Sequence, residues 1–181
     1  TGWEGHWEDR ALSFEEAHFL EGFGHDDGKF HFMPDWSQIG GNHAGMPALP
    51  DHYDAIDARD DEHPFRLVTA PSRNYLNTSF TETATSQSRE GRPEAQLHPD
   101  VCGELQLEAG DLVRIGNVQG SVVVHARPTP GLRRNTVIVE SVWPNKAFVE
   151  GMGINVLISA EAGRPNGGAV FHDTAVWLRS A

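Results

Sequence analysis

The run Pro71-Ser72-Arg73-Asn74-Tyr75-Leu76-Asn77-Thr78-Ser79-Phe80 crowds hydroxyl, amide and guanidinium groups into one short stretch. Directly after a strand, where backbone N–H groups are free of a ladder, such donors suit an anion, and Arg suits bidentate contact with phosphate. Residues 64–93 set Arg66, Arg73, Arg89 and Arg92 against Glu82 and Glu90, a local positive excess in an acidic chain. A plain solvated loop has the same composition, although loops this long in compact domains are usually functional or disordered. The segment Glu150-Gly151-Met152-Gly153-Ile154-Asn155-Val156-Leu157 offers two glycines for close backbone approach, and Asn155 can donate and accept toward a heterocycle edge. A glycine-rich turn before a strand reads the same way.

Glu4, His6, Glu8, Asp9, Glu15 and His18 are metal-ligand types, but their spacing does not repeat and no thiolate accompanies them, so surface histidines are the expectation. The single cysteine, Cys102, excludes an internal disulfide and any multi-cysteine zinc or iron–sulfur site, and leaves the compartment open between a reducing, cytoplasmic one, which it favours, and the periplasm. Beside Val101 it reads as a small buried hydrophobe. GxxxxGK[ST], GxGxxG, GxSxG, HExxH and CxxC are all absent, so neither catalytic nor metal-binding residues are assigned.

The elements that must position these residues fall into two compositionally different parts. Residues 1–63 carry fifteen Asp and Glu against three Lys and Arg, whereas residues 64–181 carry eleven of each, so the whole net charge of −12 is N-terminal. That acidity argues against nucleic acid. A mean hydropathy of −0.45 and the lack of a long apolar run argue against membrane insertion. With 181 residues there is room for one domain and an extension, and Thr1 suggests a processed product or a piece of something longer.

Ser13 with Glu16 forms a capping box for a helix over residues 11–22, Lys29 to Phe32 alternates like a strand, and residues 34–63 read as a wrapping loop or linker. From residue 64 the pattern is β-rich. Strands are predicted at Phe65–Thr69, Glu94–Leu97, Leu112–Ile115, Ser121–Ala126, Thr136–Val139 and Thr174–Leu178. A polar loop is expected from Ser72 to Pro93, with a short helix beginning at Pro99. Short strands at this spacing, with little helix, predict a small barrel.

Taken together, these segments resemble the C-terminal domain of the molybdopterin oxidoreductases, the superfamily of dimethyl sulfoxide reductase, formate dehydrogenases and nitrate reductases. The carriers are Leu67-Val68-Thr69 running into Thr78-Ser79-Phe80, Leu97-His98-Pro99-Asp100, and Ala109-Gly110-Asp111-Leu112-Val113-Arg114-Ile115 with Gly120. Trp143-Pro144, Gly151 through Leu157, and Phe171-His172-Asp173-Thr174-Ala175-Val176 complete them. Their order and spacing carry the likeness, over nearly all of residues 64–181. The resemblance implies a mainly β fold, a double-psi β-barrel with short helices at residues 64–181, preceded by a small irregular α+β extension. Gly28-Lys29-Phe30-His31-Phe32 looks like the strand that precedes this domain, which would make residues 1–63 the acidic tail of a preceding domain and its connector.

The implied function is to bind and shield a bis(molybdopterin guanine dinucleotide) cofactor carrying molybdenum or tungsten, through Ser72, Arg73, Asn77, Thr78, Ser79 and Asn155. The implied partners are N-terminal catalytic domains of the same polypeptide and an electron-transfer subunit, and the chain alone would be inactive. Two departures from the pattern stand out: many members carry Arg and His where Asn74 to Asn77 stand here, and an acidic-plus-Ala pair where Asp100-Val101-Cys102 stands. Two other readings share the barrel. One is a stand-alone binding or interaction module without redox activity. The other is a self-cleaving pyruvoyl decarboxylase, for which Gly120-Ser121 would be the scissile pair, although glycine is also what a hairpin tip wants.

Overall fold

A computed structural model of the protein describes residues 15, 20–39, 43, 45–49, 51, 57–164 and 167–181. The chain divides into two units, Thr1–Asp51 and His52–Ala181.

Most of the helix expected at 11–22 lies outside the described residues. The strand expected at Lys29–Phe32 does not form: no ladder partner meets it among the described residues, and its aromatic side chains pair with Phe23 and with each other instead. Phe30 packs edge-on against Phe23 at 5.4 Å and Phe32 at 4.7 Å. Within the stretch read as a loop, Trp36–Ile39 forms one helical turn, α1, with Asp35 accepting from the Ser37 backbone at its start.

The second unit is a closed six-stranded barrel. Its strands are β1 (Phe65–Ala70), β2 (Glu94–Leu97), β3 (Leu112–Gly116), β4 (Ser121–Pro128), β5 (Thr136–Glu140) and β8 (Thr174–Ser180), in the order β1-β5-β2-β4-β3-β8. A small hairpin of β6 (Ala162–Gly163) and β7 (Gly168–Ala169) stands apart from it. Pairs β1·β5 and β2·β4 are parallel, and the other four are antiparallel. A two-fold operation that exchanges β1-β2-β3 with β4-β5-β8 swaps β1·β5 with β2·β4 and β1·β8 with β3·β4, each pair of the same sense, and returns β2·β5 and β3·β8 to themselves, the arrangement of a double-psi β-barrel. Inward positions are apolar and β-branched, as a small barrel interior requires: Val113, Ile115, Val122, Val124, Val137, Val139 and Val176 join Leu67, Ala95 and Leu97 in one buried cluster.

Two helices flank the barrel. Residues 84–90, expected to be loop, form α2 (Ala84–Glu90), a polar helix with no buried side chain, which is why hydrophobic periodicity did not announce it. The helix begun by Pro99 is α3 (Pro99–Glu104); its N-cap His98 accepts from the Asp100 N–H, and Val101 and Cys102 enter the core. Burial raises the Cys102 thiol pKa, so the residue is packing material rather than a thiolate. No helix among the described residues is long and apolar enough to cross a membrane.

Candidate functional site

Strand directions decide what lies at each end of the barrel. The registers put the C-terminal ends of β1, β3 and β5 at one end, together with the N-terminal ends of β2, β4 and β8. Three connections therefore emerge there: residues 71–93, the hairpin tip 117–120, and residues 141–173. Ser72, Arg73, Asn77, Thr78 and Ser79 lie in the first and Asn155 in the third, so the topology carries every residue singled out for cofactor binding to one end. The opposite end holds α3 with its turn, the short connection 129–135, the start of β1 and the end of β8.

The first connection is built around a tight turn. Leu76 and Ser79 exchange backbone hydrogen bonds of 3.2 and 2.8 Å, and Asn77 takes φ 51°, a left-handed conformation that Asn tolerates better than most residues. This turn leaves the side chains of Asn77, Thr78 and Ser79 exposed. It is braced from behind. The Glu90 carboxylate on α2 accepts from both the backbone and side-chain amides of Asn74 at 2.6 Å, and Lys146 pairs with Glu82 at 3.1 Å. The Tyr75 ring packs edge-on against Trp143 at 5.0 Å, and Trp143 Nε1 donates to the Glu140 carbonyl at 2.9 Å.

Asn155 stands exposed on a 3₁₀ turn, Ile154–Leu157, anchored by fully buried Leu157 and by Ile154. Asn117 Nδ2 donates to the Leu157 carbonyl at 2.8 Å, tying the turn to the hairpin tip, where a Cβ on Gly120 would lie 3.0 Å from Val156. A bidentate pair from Arg114 on β3 to Glu150, at 2.8 and 2.6 Å, holds the segment just before it and keeps the Glu150 pKa below the ordinary value. The two candidate loops meet through residues 143–153: Trp143 and Lys146 touch the first, and Asn145 crowds Gly153, whose added Cβ would fall 2.3 Å from Asn145 Oδ1.

Unsatisfied groups collect at the same end. Ser72 Oγ, Ser141 Oγ and Thr174 Oγ1 are buried without a hydrogen-bond partner, and they follow or begin the contiguous strands β1, β5 and β8. Ser141 also takes φ 73°, with its N–H on the Ala70 carbonyl at 2.8 Å. A fourth orphan, Asp57 Oδ2, belongs to a residue lining a cavity of about 180 Å³ with Asp60, His63, Asn117, Gln119 and Ala175. Burial, and then the charge of Glu161, raises the Asp57 pKa. Native proteins rarely tolerate such groups without a ligand, an ion or water to meet them. Arg73 is exposed, with no ion pair or hydrogen bond among the described residues.

The same three connections carry exposed apolar side chains. Leu76, Phe80, Val118, Val149, Met152 and Phe171 are all exposed, and they are the exposed large hydrophobics of the second unit among the described residues. Sequence reasoning found the polar loop but missed Ser141 and Thr174, whose burial follows from where strands end, and the Arg114–Glu150 clamp, whose members are far apart in the chain. The acidic N-terminal cluster Glu4 to Asp9 lies outside the described residues. Among the described residues, no group of three or more His, Cys, Asp or Glu is placed to hold a metal.

Comparison with known proteins places this geometry. The chain is 26% identical over 148 residues to a Halobacterium salinarum protein named for the catalytic chain of a dimethyl sulfoxide reductase, matching 75% of this chain and 18% of that one. It is 26% identical over 134 residues to an oxidoreductase of Bacillus subtilis, YoaE, matching 74% of this chain and 19% of that one. It thus spans less than a fifth of the length of these curated relatives. Acetylene hydratase from Pelobacter acetylenicus shares the fold with a TM-score of 0.67 at 15% identity, over 88% of this chain and 24% of that one. Residues 65–175, from the start of β1 into β8, match the model of the molydopterin dinucleotide binding domain, and the chain belongs to that family.

Proposed function

We propose that this chain is the C-terminal, cofactor-closing domain of a longer molybdenum or tungsten oxidoreductase, and that residues 71–80 and Asn155 contact a bis(molybdopterin guanine dinucleotide). The observation that carries the reading is the convergence on one barrel end of an unpaired Arg73 guanidinium, exposed Asn77, Thr78, Ser79 and Asn155, and the orphaned Ser72 hydroxyl. These residues fit the group: a dinucleotide pyrophosphate needs guanidinium, hydroxyl and amide donors, not a base. When bound, the pterin dithiolene holds the metal that carries the redox change.

Each residue of the chain then has a task short of chemistry. Arg73 neutralises phosphate charge. Asn77, Thr78 and Ser79 donate from a turn whose backbone is already set, so little ordering is left to occur on binding. Asn155 reads a polar edge from the opposite loop. The exposed apolar side chains of this end support docking against catalytic domains of the same polypeptide, which would exclude water from the bound dinucleotide, because exposed apolar patches mark interaction surfaces.

The test is pterin and metal content of the complete enzyme carrying Arg73→Ala or Asn155→Ala. A hydrogen bond to a charged group is worth about 1.5–3 kcal/mol, so Arg73→Ala should retain cofactor roughly ten- to a hundredfold more weakly. Full pterin and metal content in both variants refutes the assignment.

A further inference from the structure

Tyr75 lies inside the first loop, between Arg73 and the Asn77 turn, and is only 6% exposed. A buried phenol hydroxyl usually finds a hydrogen-bond partner, because leaving it without one costs free energy. This one has none among the described residues, and its oxygen is not among the fully enclosed orphan atoms. The two carboxylates nearest in charge are already engaged: Glu90 accepts two donors from Asn74, and Glu82 pairs with Lys146. The ring is held in place by Trp143, itself hydrogen-bonded to the Glu140 carbonyl. Burial, and then the charges of Glu90 and Glu82, raises the phenol pKa, so the hydroxyl keeps its proton and remains a donor.

We infer that the Tyr75 hydroxyl is a further hydrogen-bond donor to an oxygen of the bound dinucleotide, pre-aimed by the Trp143 contact. The inference rests on the reading that this barrel end holds the dinucleotide, and it adds a residue that neither loop composition nor exposure would select. A side chain fixed before binding and unpaired until the ligand arrives forms its bond with little loss of rotamer freedom.

The experiment compares Tyr75→Phe with Arg73→Ala in the holoenzyme, following release of pterin and guanine nucleotide on dilution, together with thermal melting of the cofactor-free protein. Phenylalanine keeps the ring and its packing against Trp143. Tyr75→Phe is expected to release cofactor roughly tenfold faster, with the cofactor-free melting temperature unchanged or slightly raised, since no protein hydrogen bond is lost. Unchanged release in Tyr75→Phe beside faster release in Arg73→Ala overturns this inference alone. Unchanged release in both, or a wild-type enzyme that carries no pterin, overturns the parent reading with it. A lowered cofactor-free melting temperature in Tyr75→Phe also overturns the inference, since the hydroxyl would then be holding the fold.

Discussion

Leu157→Ala separates the fold from the site more sharply than any direct contact. Leu157 is 0% exposed, it closes the turn that presents Asn155, and its carbonyl accepts from Asn117. Truncating a fully buried leucine costs about 2–5 kcal/mol through lost transfer energy and residual cavity. With a melting shift of roughly 2–4 °C per kcal/mol for a chain of this size, a loss of about 3 kcal/mol lowers the melting temperature by about 6–12 °C. Leu97→Ala is the matched control: Leu97 is 1% exposed, sits in the same core, and pairs with Pro128 at the other end of the barrel. Both variants should lose similar stability in denaturant titrations. Only Leu157→Ala should also weaken pterin retention at temperatures where both remain folded, because only it loosens the platform under Asn155. Equal retention in the two variants would show that Asn155 needs no such platform and would refute the reasoning.

Two further outcomes follow from the same geometry. Because Arg114 holds the folded-state pKa of Glu150 below its unfolded value, the ionised pair contributes stability that is fully present above the ordinary glutamate range and is lost as pH falls through the lowered value. Melting of Glu150→Gln should therefore differ most from wild type near neutral pH and converge with it in acid; a pH-independent difference would contradict the clamp. Gly116→Ala should destabilise by about 1–3 kcal/mol, since its Cβ would fall 2.2 Å from Trp177 Cζ2 on the paired strand, and Trp177→Val in the same chain should relieve most of the loss. A Gly116→Ala variant that melts like wild type would show that the indole swings aside freely.

What could be read from the sequence divides along physical lines. The six barrel strands announce themselves as short apolar, β-branched runs between turn signals, and in Glu94–Leu97 and Thr136–Glu140 buried positions also alternate with half-exposed ones, Val137 and Val139 being fully buried. The run Ser72 to Ser79 stands out by composition, because it crowds hydroxyl, amide and guanidinium donors, and the structure places it at the same barrel end as Asn155. Helix α2 was not legible, because a helix that buries nothing leaves no apolar stripe. Ser141 was not legible either: a serine at a strand end looks like any turn residue until its hydroxyl is found enclosed and its backbone left-handed. Lys29 to Phe32 shows the converse failure, in which an alternating pattern meets no neighbouring strand among the described residues to satisfy its backbone.

The barrel's internal symmetry separates what the frame dictates from what its two ends add to it. The operation that exchanges β1-β2-β3 with β4-β5-β8 also exchanges the two ends, so as bare scaffolds they are equivalent. Under it, residues 71–93 correspond to the short connection 129–135, and residues 141–173 to residues 98–111. The added length lies at one end only, and so do the orphaned hydroxyls, the exposed large hydrophobics of this unit, and Asn77, Phe80, Ser141 and Asp173, four of the five left-handed non-glycine residues among the described residues; the fifth, Gln106, lies at the other end. Extra chain, unsatisfied polar atoms and unusual backbone each cost stability, and the core gains nothing from them. Their concentration at one end supports the proposed binding of a ligand there, with the strands serving as a rigid frame that fixes where the two long loops meet.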